Sequence, residues 1–270
     1  MITEAGLAAW AAGRADIRLV LRTGSRARQD GTRDEHSDHD IEVYTENPER
    51  YGDGDWLSEL GEVLVSVGLE GPYRNPARLV LFTSGEKADF QLLPLARLDE
   101  LAAGLDDLHS RGYQVLHDPE GLAARLPAPE GPIPPEPPTE EEFQELCAEF
   151  WFELAHLPRY LARGELWVVK SRDATCKQLL ETVIEWYARA LGADDTWHGG
   201  TRMRTWAPEV WPRLAALFGS FDAEGARAAA HATGELFAEL SRAVARAHGF
   251  SYRAEPELAV LPQLYVRSYT

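Results

Sequence analysis

The chain has 270 residues, 44% of them hydrophobic and 26% charged, which suffices for a packed core and for one large domain or two of ordinary size. Its 44 acidic residues against 27 basic ones give a formal charge of -17, a surface that repels phosphate backbones and makes nucleic acid a poor partner. Two cysteines, Cys147 and Cys176, form no disulfide framework, and no stretch reaches the ~20 apolar residues that span a bilayer.

Residues 2–13 read as a helix. The Met1-Ile2-Thr3-Glu4 start has no basic segment followed by a long apolar run, so a soluble, cytoplasmic protein is expected. Residues 17–23 form a predicted strand, and a short helix is expected from Ser25. Residues 39–45 alternate polar with apolar side chains, the pattern of a half-buried strand. Trp56, Leu57, Leu60, Val63, Leu64 and Val67 have helical spacing and predict a helix over 56–67. Leu79 to Thr83 and Asp89 to Leu93 read as strands joined by the hairpin-sized turn Ser84-Gly85-Glu86-Lys87. A helix over 98–105 and a short strand over 115–117 complete an N-terminal α/β unit, residues 1–126.

Residues 127–138 carry seven prolines, which forbids a helix and predicts an extended linker. Thr139 with Glu142 three residues on then forms a capping-box signature. Helical patterns follow over roughly 140–163, 173–191, 207–218 and 222–248, and the last twenty residues, with Pro256 and Pro262, read as an extended tail. Residues 139–270 are therefore expected to form a helical substrate-binding domain. The whole is an α+β protein with a mixed sheet, flanking helices and a C-terminal helical bundle. The default place for a substrate is a cleft between two such domains.

The most informative residues are Asp38, Asp40 and Asp89. Alternate residues of a strand share a face, so Asp38 and Asp40 can aim at one point, and Asp89 can join them from a neighbouring strand. A Gly24-Ser25-Arg26 turn lies just upstream, after a strand. Glycine lets a phosphate approach the backbone, and Ser25 and Arg26 add donors. Three carboxylates beside such a turn suit a magnesium and polyphosphate site, because magnesium takes one or two carboxylates plus substrate phosphates. Each aspartate alone also reads as a solvated surface acid; the combination favours a site. Glu42 shares the face of Asp38 and Asp40, either as a further acid behind the site or as the exposed end of that face. Lys170, Arg172 and Lys177 are candidates to meet a triphosphate, with Lys177 the first choice. Glu149 and Glu153, one helical turn apart, share a face that suits cationic groups of an acceptor. No zinc spacing, phosphate loop, dinucleotide fingerprint or nucleophile elbow occurs.

The Gly-Ser turn, the Asp-x-Asp pair on the next strand and a third acid on a later strand resemble the nucleotidyltransferase fold of the polymerase-beta superfamily. More closely, Thr23-Gly24-Ser25-Arg26, Ser37-Asp38-His39-Asp40-Ile41 and Lys87-Ala88-Asp89-Phe90-Gln91-Leu92-Leu93-Pro94 resemble the streptomycin (aminoglycoside) 6-adenylyltransferase family. Phe150-Trp151, the run Tyr160 to Trp167 and Glu185-Trp186-Tyr187 extend the likeness into the helical half. The family usually has Asp-Leu-Thr at the third acid, where this chain has Asp89-Phe90-Gln91. Its Gly-Lys-rich segment corresponds here to His198-Gly199-Gly200-Thr201-Arg202-Met203-Arg204.

The resemblance implies magnesium-dependent transfer of AMP from ATP to a hydroxyl of a cationic, streptomycin-like aminoglycoside, releasing pyrophosphate. Asp38, Asp40 and Asp89 would hold two magnesium ions, with Asp89 also the general base, and Gly24, Ser25, Arg26 and Lys177 would meet the nucleotide. Glu149 and Glu153 would bind the acceptor. The chain is expected to act as a monomer, without nucleic acid or membrane. Another small-molecule acceptor such as a lincosamide, or a non-catalytic nucleotide-binding, regulatory or antitoxin-like module, stands as the alternative.

Overall fold

The computed structural model describes residues 2–28, 31 and 33–265. It divides into two compact units, Met1–Ile133 and Pro134–Thr270, the division falling inside the proline-rich segment.

In the first unit, helix α1 (Glu4–Ala12) starts where the Thr3 hydroxyl accepts a hydrogen bond from the Gly6 amide. Strand β1 (Ile17–Thr23) runs into the four-residue helix α2 (Gly24–Ala27), and β2 (His39–Thr45) returns antiparallel beside it. The β3 (Val63–Glu70) and β4 (Pro76–Phe82) hairpin follows, then β5 (Lys87–Pro94), helices α3 (Ala96–Ala103) and α4 (Asp107–Ser110), and β6 (Gln114–His117). The six strands lie in the order β3-β4-β5-β2-β1-β6. Every neighbouring pair is antiparallel except β2 and β5. That parallel pair is closed by a long crossover, as parallel strands require.

Both faces of the sheet are covered at its central strands, whereas the edge strand β3 is exposed. Val20, Ile41, Val43, Phe90 and Leu92 bury one face against Trp10 of α1 and against Tyr51 and Trp56. Leu19, Leu21, Tyr44 and Leu93 bury the other against Leu98 and Leu101 of α3. Strands β1 and β2 are accordingly buried along nearly their whole length, as central strands of a doubly covered sheet are.

The helix expected over 56–67 is not formed. Asp55–Glu59 is a 3₁₀ turn and Val63–Glu70 is the edge strand β3. The apolar positions fit a helix, but Val63, Val65 and Val67 are stiff β-branched residues, and pairing with β4 from Val63↔Phe82 to Glu70↔Pro76 decides for the strand.

In the second unit, α5 (Glu140–Leu154) begins at the expected capping box on Thr139 and Glu142. The pattern over 140–163 is broken at Ala155 and His156, and α6 (Leu157–Ala162) follows with Pro158 in its first turn. Helix α7 (Leu166–Ala190) starts seven residues earlier than predicted. After it come the short helix α8 (Met203–Trp206) and a 3₁₀ segment, Trp211–Leu217, in place of the helix expected over 207–218. Helix α9 (Ala223–His248) packs against α7 and α10 (Glu255–Tyr265). Stacked rings of Phe150 and Phe237, 3.5 Å apart, lie in this core with Trp151 edge-on to both. Gly234 lets α9 approach closely, since a Cβ there would lie 2.8 Å from Leu154 and 2.6 Å from Leu261. The expected extended tail is instead helical through Tyr265, with Val260 and Leu264 buried. Pro256 sits in the first turn, where a missing amide costs nothing, and that core contact outweighs Pro262 in the interior. The tail beyond Tyr265 lies outside the described residues. No helix among the described residues is long and apolar enough to cross a membrane.

Candidate active site

The site begins with the register of the one parallel pair. Asp40 of β2 lies directly beside Asp89 of β5, and Thr23, the last residue of β1, lies on the other side of Asp40. Residues opposite each other in a sheet share a face, so the two carboxylates project together at the point where β1 gives way to Gly24. Counting one step back from His39↔Ala88 sets Asp38 opposite Lys87. Asp38, Asp40, Lys87 and Asp89 thus form a two-by-two arrangement of three acids and one base.

Contacts bear this out. The Lys87 ammonium donates to Asp38 Oδ2 at 2.8 Å and lies 3.5 Å from Asp89 Oδ2. Arg26, expected at a phosphate, donates through Nε to the backbone carbonyls of Ser37 and Asp38 at 2.8 and 3.1 Å, and so pins the chain that delivers the Asp pair. Gly24, expected to leave space for a phosphate, makes room for a side chain of the sheet. Its φ is +65°, and a Cβ would lie 1.8 Å from Asp40 Oδ2. The Asp40 carboxylate rests against bare backbone.

Electrostatics follow from this crowding. Burial, with the charges of Asp89 and Asp38 adding, pushes the Asp40 carboxyl up to about 6. Burial also raises Asp89, with Lys87 opposing. Asp89 Oδ1 is buried without a hydrogen-bond partner, an unfavourable position for an ionised oxygen. Among the described residues, no three His, Cys, Asp or Glu side chains are gathered closely enough to hold a metal ion by themselves. The donor chemistry nevertheless fits magnesium, which needs only one or two carboxylates beside phosphate oxygens. Asp40 and Asp89 supply them, and the unpartnered Oδ1 is an oxygen in want of a cation.

One row deeper on the same face lies Glu42, and the exposed-end reading of it is overturned. It is buried, accepting hydrogen bonds from Tyr44 Oη at 2.6 Å and His109 Nε2 at 2.8 Å. His109 Nδ1 faces Asp106 Oδ1 at 2.7 Å, and Asp106 is in turn bonded by Arg97. Burial pulls the imidazole down, but hydrogen bonds to Asp106 and Glu42 outweigh it and raise His109 to about 9. His109 is therefore an imidazolium clamped between two carboxylates. Nothing in the sequence pairs residues 67 positions apart. Lys87, expected as the last residue of a turn, is instead the first residue of β5, and this places it on the strand face of Asp89.

The second unit places its candidates differently. Lys177, expected at the triphosphate, is turned inward: its ammonium pairs with Asp173 at 2.5 Å and lies 5.2 Å from the centre of the Phe218 ring. Burial lowers its basicity, and Asp173 already neutralises it. Lys170 donates to the Gly219 carbonyl at 2.6 Å. Glu149 is exposed on α5, whereas Glu153 is bound by Arg172 Nη1 at 2.7 Å, so an incoming cation must displace that guanidinium.

A sequence model of the streptomycin adenylyltransferase family matches residues 5–264. An aminoglycoside 6-adenylyltransferase of Campylobacter jejuni is 28% identical over 218 residues, which span 75% of this chain and 73% of the relative. One from Bacillus subtilis (strain 168) is 28% identical over 159 residues, 56% of this chain and 55% of the relative. The crystal structure of an aminoglycoside 6-adenyltransferase from Bacillus subtilis aligns with 99% of this chain and 100% of its own, at a TM-score of 0.48 and 17% identity. With nearly its full length matched by one family, the chain belongs to the streptomycin adenylyltransferase family, a family of nucleotidyltransferase enzymes.

Proposed function

We propose that this protein transfers AMP from ATP to a hydroxyl of an aminoglycoside and releases pyrophosphate. The observation that carries the reading is the in-register pair Asp40 and Asp89, packed against the bare backbone of Gly24 at the end of β1. The names of the curated relatives support the aminoglycoside as acceptor.

In the reaction the acceptor oxygen bonds to the α-phosphorus of ATP, and the bond from that phosphorus to pyrophosphate breaks. Asp89 takes the hydroxyl proton; burial has already made it a better base than an exposed aspartate, and such a role is typically worth about 10²–10⁴ in rate. Asp40 and Asp89, with Asp38 at their edge, would hold magnesium, which supplies positive charge to the triphosphate as charge moves to the leaving group. Gly24, Ser25 and Arg26 form the rim that meets the phosphates. Lys177 is left out of the phosphate set because Asp173 holds it. The acidic chain attracts a cationic acceptor, and exposed Glu149 is the acid open to it.

The test is mass spectrometry of an aminoglycoside panel incubated with ATP, magnesium and the protein. A gain of one adenylyl group on a panel member is expected, abolished in Asp89→Asn while that variant still binds ATP. No adduct on any aminoglycoside refutes the acceptor class, and turnover retained by Asp89→Asn removes Asp89 as the base.

A further inference from the structure

Lys87 stands out because its position is costly to explain as decoration. It is the base in a cluster of three acids, on the same face of β5 as Asp89, and its ammonium reaches Asp38 Oδ2 and Asp89 Oδ2 from a single point. Its turn is built to bring it there. Gly85 adopts φ +86° in the tight β4–β5 connection, and the Phe82 amide bonds the Glu86 carbonyl at 2.9 Å, so that Lys87 starts β5 paired to Leu81. Glu86 is directed away, accepting a hydrogen bond from the Ile2 amide at 2.9 Å.

An ammonium and a hard divalent ion seek the same thing here, the carboxylate oxygens, and a lysine on a flexible four-carbon stem can yield its place. We infer that Lys87 is a tethered counter-ion of the acid cluster, which neutralises Asp38 and Asp89 in the resting protein and competes with the divalent cation for them. It is a positioning residue that acts through the acids: it keeps them together without a metal and sets how tightly a metal is taken up. This inference rests on the reading of Asp40 and Asp89 as cation ligands.

The experiment titrates the full-length chain with Mn2+ alone, by electron paramagnetic resonance of the free ion, in wild type, Lys87→Gln, Lys87→Arg and Asp40→Asn. Removing one partly exposed positive charge from the cluster should tighten Mn2+ binding roughly two- to fivefold in Lys87→Gln. Lys87→Arg, which keeps the charge, should stay near wild type, and Asp40→Asn should bind more weakly. In chelator Lys87→Gln should melt below wild type, and Mn2+ should raise its melting point by more. The wild-type chain gives a measurement free of mutation: reaction of Lys87 with acetic anhydride, followed by peptide mass spectrometry, should increase when Mn2+ is added. Binding by Lys87→Gln equal to or weaker than wild type, or Lys87 reactivity unchanged by Mn2+, overturns the competition. If no variant binds Mn2+ alone, and Mn2+ added with a non-hydrolysable ATP analogue raises no melting point beyond the analogue by itself, the cation-site reading fails and takes this inference with it; if Asp40→Asn weakens binding but Lys87→Gln does not tighten it, only the role of Lys87 fails.

Discussion

Replacing Gly24 by alanine tests the site through a single methyl group. A Cβ there would lie 1.8 Å from Asp40 Oδ2 and 2.7 Å from its Cγ, where real Cβ atoms keep at least 3.0 Å. The carboxylate must therefore retreat by about 1.2 Å, the difference of 3.0 and 1.8. The backbone at φ +65° adds about 1–2 kcal/mol for any residue with a Cβ. About 0.4–1 kcal/mol returns because alanine restricts the unfolded chain. Net destabilisation of about 1–2 kcal/mol, including residual strain, should lower the melting point by roughly 3–8 °C. The effect on chemistry is larger, because displacement of about 1 Å in a reacting geometry can cost about 10²-fold in rate. The assay pairs a thermal melt with the rate of adenylyl transfer measured well below the transition. A variant that melts a few degrees low yet transfers within about twofold of wild type refutes the argument that Gly24 exists to seat Asp40.

The raised Asp40 carboxyl fixes the sign of a pH effect. Its ordinary value is 3.8 and its folded value about 6, so its contribution to stability is complete below about pH 4 and is lost as pH rises through 6. Asp40→Asn, free of that loss, should be more stable than wild type at pH 7 in chelator by about 1–2 kcal/mol, a value discounted for partial exposure, and the gain should vanish near pH 4. Parallel melting curves from pH 4 to 7.5 would sink the idea. At His109 the sign is reversed with respect to charge: its imidazolium is favoured by folding, so its contribution is complete below about 6.5 and lost as pH rises through about 9. His109→Ala leaves Glu42 buried without its charged partner, with only the Tyr44 hydroxyl still bonded to it, and should cost about 3–5 kcal/mol at pH 7. The variant should also lack the alkaline decline of the wild type; a loss under about 1 kcal/mol would show that Glu42 is not relying on His109.

Local pattern determined a good deal of this protein. The alternation in His39-Asp40-Ile41-Glu42-Val43-Tyr44-Thr45 set the strand and placed Asp40 and Glu42 on one face, because a strand has period two whatever surrounds it. The capping box at Thr139 set the start of α5, because its hydrogen bonds close within four residues. The Gly-Ser turn and the two acidic motifs carried the family resemblance. Tertiary structure decided what depends on partners far along the chain. The parallel pairing of β2 with β5 joined Asp40 to Asp89 across 49 positions, and a slip of one residue would have sent Asp89 to the opposite face. Pairing with β4 turned the helical-looking run after Trp56 into an edge strand. Lys177 and Asp173 are an i, i+4 pair visible in the sequence, yet only packing of α7 could bury them and take that lysine away from a phosphate. Lys87 and His109 became members of the site for the same reason. A charge is read one residue at a time in a sequence, whereas its meaning depends on the charges that folding brings within a few ångströms of it.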